Sequence, residues 1–170
     1  MRCAMRSSLP WFALWSTLLA ATLAPAATRL DDASSPRAQQ RAVRVTDDQG
    51  REWSKDSHAA AAVLSFGTVD YRLLTAKYVG RRVRIYFEVP AHVEGLRSPR
   101  GLEVQWQGRG RFAAGRAYAG DRVLVWTGIV RESIMAESID LTARLSLRDY
   151  APQASGRFGF ESYFVIEEAP

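Results

Sequence analysis

From Ile139 to Arg148 the chain alternates apolar and polar side chains without a break: Ile139, Leu141, Ala143, Leu145 and Leu147 against Asp140, Thr142, Arg144, Ser146 and Arg148. Successive side chains of a β-strand point to opposite faces, so this run presents one side to a core and the other to water. A helix would scatter the same apolar residues around its circumference. Shorter stretches repeat the pattern. Val83, Ile85, Phe87 and Val89 oppose Arg82, Arg84, Tyr86 and Glu88 until Pro90 stops the run. Leu102, Val104 and Trp106 oppose Glu103, Gln105 and Gln107. Val123 to Trp126 is apolar on both faces, as a central strand would be, and Phe158, Phe160, Phe164 and Ile166 line one face of a last strand.

Turn residues punctuate these segments: Gly95, Ser98-Pro99, Gly108, Gly110, Gly120-Asp121 and residues 152–156. Short strands at this spacing predict a mainly β fold over residues 43–170. The expected architecture is a single antiparallel β-sandwich (immunoglobulin-like) or a small barrel, with at most one or two short helices. Asp47-Asp48-Gln49-Gly50, between Val43–Thr46 and Arg51-Glu52-Trp53, has the composition of a hairpin turn. Residues 58–79 stay open between helix and strand. The alanines at 59–62 favour a short helix, whereas Val63-Leu64-Ser65-Phe66 suits a strand.

The N-terminus carries the three parts of an export signal. Arg2 and Arg6 form a positive start, Leu9 to Leu23 is apolar apart from Ser16, Thr17 and Thr22, and Ala24-Pro25-Ala26 offers small residues for cleavage after Ala26. The apolar run is shorter than the roughly 20 residues of a spanning helix. Residues 1–26 are therefore expected to be a removable signal peptide, leaving no stable membrane span and a product outside the cytoplasm, periplasmic or extracellular. The one cysteine, Cys3, leaves with the signal, so the remaining domain must be held by its apolar core without disulfides. Residues 27–42 contain one large apolar residue, Leu30, and no sustained period, which predicts a disordered leader.

Charge is unevenly spread. Loss of Arg2 and Arg6 leaves 21 basic against 18 acidic residues, or +3. Residues 81–122 hold nine arginines against Glu88, Glu94, Glu103 and Asp121, while residues 123–170 hold four arginines against seven acids. Such asymmetry marks an anionic partner or arises where the solvent faces of paired strands carry opposite charges.

Few residues suggest chemistry. Asp56-Ser57-His58 contains the residue types of a hydrolase triad, but a triad is assembled from separated segments, and no glycine-flanked nucleophile elbow surrounds it. His92 and Glu94 could give two metal ligands where a site needs three or four. Asp47-Asp48 lacks the regular acid spacing of an EF-hand. Glu88, Glu103, Asp140 and Glu161 sit at outward strand positions, where cross-strand pairing with arginines explains them. No catalytic residue, metal site or cofactor is assigned.

The most unusual segment is Gln105–Arg116, QWQGRGRFAAGR, in which Trp106 and Phe112 are interleaved with Arg109, Arg111 and Arg116. Aromatics that stack and arginines that neutralise phosphate suit single-stranded nucleic acid, but export removes nucleic acid as the partner. The same residues then suit an anionic glycan, a lipid headgroup or an acidic protein surface; the plainer alternative is a hairpin whose glycines make the turns, whose Trp106 is core and whose arginines are exposed at a sheet edge. The reading that follows is an exported, non-catalytic binding or assembly module of a bacterial-type cell envelope. Two alternatives rank behind it: a strand-exchanging, pilus-like subunit of a surface polymer, for which residues 27–42 lack the alternating apolar extension, and a small secreted hydrolase.

Overall fold

The computed structural model describes residues 27–35, 42–54, 58–151 and 158–170. The expected signal peptide, and Asp56 and Ser57, lie outside the described residues. Nine strands are present among them: β1 (Thr28–Arg29), β2 (Arg44–Asp47), β3 (Ala61–Leu74), β4 (Arg82–Glu88), β5 (Leu102–Gly108), β6 (Gly115–Tyr118), β7 (Arg122–Ile129), β8 (Ile134–Ser146) and β9 (Tyr163–Glu168). Helical structure among the described residues is confined to two single 3-10 turns, Ala76–Tyr78 and Pro99–Gly101.

The strands form two antiparallel sheets, a four-stranded one in the order β1-β9-β4-β7 and a five-stranded one in the order β2-β3-β8-β5-β6. They pack face to face as a sandwich, the first of the two architectures expected. The pairing is nested. β5 pairs β6, β4 pairs β7, β3 pairs β8, and β1 pairs β9, each pair enclosing the one before it. This is one long antiparallel ribbon folded over on itself, which gives the sandwich a jelly-roll connectivity in place of the immunoglobulin order.

The alternation read from the sequence sets which residues meet in the middle. Val83, Ile85 and Phe87 of β4 face Leu102, Val104 and Trp106 of β5, with Met135, Ile139, Leu141 and Ala143 of β8 alongside. Aromatic rings join the sheets: Phe87 lies 4.5 Å from Trp106 between ring centroids, and Tyr71 lies 4.9 Å from Phe164. Burying such side chains removes apolar surface from water and supplies most of the drive to fold.

The ambiguous stretch 58–79 is mostly strand, and its mixed signal has a local cause. In β3 the register shifts between Ser65 and Gly67, where Gly67 adopts φ +71°. The extra residue of this bulge inverts the parity of the strand. Before the bulge Ala62 and Leu64 pair with the inward Leu145 and Ala143, whereas after it Val69, Tyr71 and Leu73 are the buried residues.

Residues 27–35 correct the expectation of a disordered leader. β1 pairs with β9 at the sheet edge, Leu30 is only 3% exposed, and its amide donates to the Phe164 carbonyl. The chain then crosses to the other sheet. The Leu74 amide donates to the Asp31 carbonyl, and the Arg72 amide donates to Ser35 Oγ. One buried side chain and backbone hydrogen bonds hold this segment, so no periodic pattern was needed for it to order.

Candidate functional site

The Arg-aromatic segment spans the end of β5, a tight loop and the start of β6. The inward parity of β5 carries Trp106 into the core at 4% exposure, and its Nε1 donates to the Ala113 carbonyl at 3.0 Å. Phe112 is also 4% exposed, its ring 5.2 Å from Phe164. Neither aromatic offers a stacking face to a partner, which corrects the reading of both as ligand contacts; for Trp106 the inward parity of β5 already pointed to the core. The loop between them is compact. A Cβ on Gly108 would lie 1.9 Å from the Phe112 carbonyl oxygen, so only glycine allows the backbone to close here.

The three arginines differ in what they hold. Arg109 Nε donates to both Asp140 oxygens at 2.8 Å, and Thr68 Oγ1 donates to the same carboxylate at 2.6 Å. Arg109, and Thr68 after it, hold the Asp140 carboxyl below its ordinary value, and Asp140 raises Arg109 in turn. Arg111 is a clasp. Its backbone amide and its Nε donate to the two oxygens of Glu137 at 2.8 and 2.6 Å, and its guanidinium reaches Glu132 at 3.4 Å. Glu137 is buried, so the bond pins the loop onto β8. Arg116 is the least engaged. It is exposed and approaches Glu103 no closer than 3.8 Å, beyond hydrogen-bond reach.

Arg116 also belongs to a larger arrangement. Cross-strand register places Arg44 beside Ser65, Ser65 beside Thr142, Thr142 beside Gln105, and Gln105 beside Arg116. These five residues form one row across all five strands on the outward face, with a guanidinium at each end and hydroxyl or amide groups between. At the spacing of paired strands the row is roughly 19 Å long. Beside it lies a shallow, open hollow of about 470 Å³, lined by Gln105, Gln107, Ala114, Gly115, Arg116, Asp140 and Thr142, with Trp106 beneath. Among the described residues, Arg44 and the neighbouring Arg144 make no ion pair. The sequence alternation marks Gln105 and Thr142 as solvent-facing; it does not show the register that lines them up with Arg44, Ser65 and Arg116.

The outer face of the other sheet holds several contacts of its own, although Arg82 and Arg84 of β4 are exposed there and, among the described residues, make no ion pair. Arg122 pairs with Glu167 at 2.8 Å and lies over the Tyr86 ring, Arg81 pairs with Glu168, and Tyr163 donates to Glu88 at 2.6 Å. The remaining candidates do not converge. His58 and His92 are exposed on separate segments, before β3 and after β4. Asp47 is buried, and its carboxylate accepts from Arg51 Nε and from the amides of Gln49 and Arg51. It therefore clasps its own turn and presents no free oxygens to a cation. Glu88 and Glu161 belong to one sheet side and Glu103 and Asp140 to the other. Asp140 pairs with Gln107, four positions along β5 from Glu103, a separation of about 14 Å that exceeds the span of a glycosidase carboxylate pair. Among the described residues no three or more His, Cys, Asp or Glu side chains gather as a metal site would require, and no helix is long and apolar enough to cross a membrane. In comparisons with known proteins, no family model, no curated protein and no solved structure matches this chain.

Proposed function

We propose that this chain is an exported, non-catalytic binding module of the cell envelope, and that it holds an anionic glycan on the outward face of its five-stranded sheet. The observation that carries this reading is the row Arg44–Ser65–Thr142–Gln105–Arg116. Hydroxyl and amide groups supply donors and acceptors for a hydroxyl-rich chain, and the two terminal guanidiniums supply charge-assisted bonds to anionic groups. The reading moves the contact surface away from the 105–116 segment as a unit. Arg109 and Arg111 spend their charge on Asp140 and Glu137, and only Arg116 of the original three has its charge available to a ligand.

Retention of the purified full chain on immobilised alginate, a polyuronate, tests this against dextran, a neutral polymer. Retention on alginate is expected to exceed that on dextran and to fall as salt rises, because exposed charges are screened. Arg44→Ser and Arg116→Ser are each expected to weaken it by about three- to fivefold at low salt. Equal retention on both matrices, or no effect of either substitution, defeats the proposal.

A further inference from the structure

We infer that an extended polyuronate lies across the strands of this face and that Arg144 is its third cationic contact; this rests on the reading of the face as a glycan site. β8 is the central strand of the five, and Arg144 stands on it two residues beyond Thr142, on the same outward side. It is exposed and, among the described residues, makes no ion pair. Arg44 and Arg116 stand on the two edge strands, β2 and β6. The spacings of paired strands and of alternate residues put the Arg144 Cα about 12 Å from each of them, with the two end residues roughly 19 Å apart. The three arginines form a shallow triangle whose long side runs at right angles to the strands.

An extended 1→4-linked chain advances by roughly one strand spacing per sugar, so about four or five units cover the line. With a carboxylate on every unit, any register along the line leaves an anionic group within reach of each arginine. A chain charged only at intervals meets all three in one register alone. Between the cations, Ser65, Thr142 and Gln105 are left to take up sugar hydroxyls. Two acids share this part of the face. Glu103 lies opposite Arg144, but its side chain is only 15% exposed and its Oε1 accepts from Gln105 Nε2 at 3.2 Å. Glu52 bridges to Thr46 at the outer side of β2. Arg100, over the ring of Tyr118 beside Glu103, adds a fourth guanidinium, so cations outnumber carboxylates here four to two. Asp140, the next acid along β8, already has Arg109 as its counter-charge.

The test is titration calorimetry of the full chain at low salt with size-defined oligouronates cut from alginate, from the disaccharide to the octasaccharide. Affinity is expected to rise at least about tenfold from the disaccharide to the pentasaccharide, then by no more than about twofold to the octasaccharide, once all three arginines are engaged. Arg144→Ser is expected to weaken the pentasaccharide by about three- to fivefold, as Arg44→Ser and Arg116→Ser do. Arg84→Ser removes an equal charge from the exposed face of the other sheet and is expected to change it by less than about 1.5-fold. Affinity that climbs evenly up to the octasaccharide, or an Arg84→Ser loss equal to that of Arg144→Ser, overturns the inference. So does an Arg144→Ser chain that binds as tightly as the unaltered one while Arg44→Ser and Arg116→Ser weaken binding; the glycan-binding proposal then stands. Failure of every oligomer and of the alginate polymer to bind removes the proposal itself.

Discussion

Arg109, Arg111 and Arg116 come from one short segment and carry the same side chain, yet their surroundings give each a different task. Arg109 neutralises an exposed carboxylate, Arg111 ties a loop to a buried one, and Arg116 faces solvent. Nothing in QWQGRGRFAAGR separates them, because their partners Asp140, Glu137 and Glu103 arrive through strand pairing. Residue-scale electrostatics also governs the alkaline limit of the fold. Burial pushes the Tyr71 phenol up to about 12 from 10.0, with Asp32 raising it further and a hydrogen bond to Ser162 opposing. A raised value in the folded state means that the contribution is complete below pH 10 and is lost as pH climbs towards 12. The expected result is a fall in the urea midpoint between about pH 10 and 12 that Tyr71→Phe makes shallower. A midpoint that declines equally in the variant would show that this phenol is not responsible.

At the scale of single elements, β8 and β3 show what periodicity can and cannot reveal. β8 keeps one parity from Met135 to Leu145, and its pattern is legible in the sequence from Ile139 onward; before that, the buried Glu137 puts a charged residue on the inward face and hides the alternation. β3 is paired with it over almost its whole length, yet Phe66-Gly67 inserts a residue and reverses the faces, so neither half alone is long enough to read. The same limit applies to the 105–116 segment. Trp106 follows β5's parity into the core, which the alternation already implied; Phe112 reaches the core only through the loop geometry, which it did not. That geometry depends on Gly108. Its Cβ would meet a backbone oxygen, which cannot rotate aside, so Gly108→Ala is expected to lower stability by about 2 kcal/mol. It should also reduce retention on alginate, because Ala114 and Gly115 line the hollow beside the row. Urea unfolding and the same retention assay check both effects, and an unchanged stability would mean that the loop reshapes freely.

At the scale of the whole molecule, a two-sheet β fold follows from composition and alternation, while the strand order does not. Which strand pairs with which is decided by long-range closure, and the outermost closure uses the segment with the weakest sequence signal. Thr28–Arg29 pairs with Val165–Ile166, and the following residues cross from one sheet to the other. Leu30 is the one apolar side chain that holds this crossing in the core. Leu30→Ala is expected to cost about 2–3 kcal/mol. Hydrogen exchange should then speed up first at the amides of Leu30 and Leu74, whose acceptors are the carbonyls of Phe164 and Asp31. Acceleration spread evenly over β4 and β8 instead would mean that the segment is not a separate unit.

The nested pairing also has a consequence for timing. A chain delivered N-terminus first presents β1, β3 and β4 well before β7, β8 and β9, the strands that pair with them in the closed ribbon. Only the β5–β6 hairpin and the short β2–β3 pair find partners from within the first 118 residues. For most of its passage the molecule is therefore a queue of open apolar edges, and the sandwich closes late, when the last fifty or so residues arrive together.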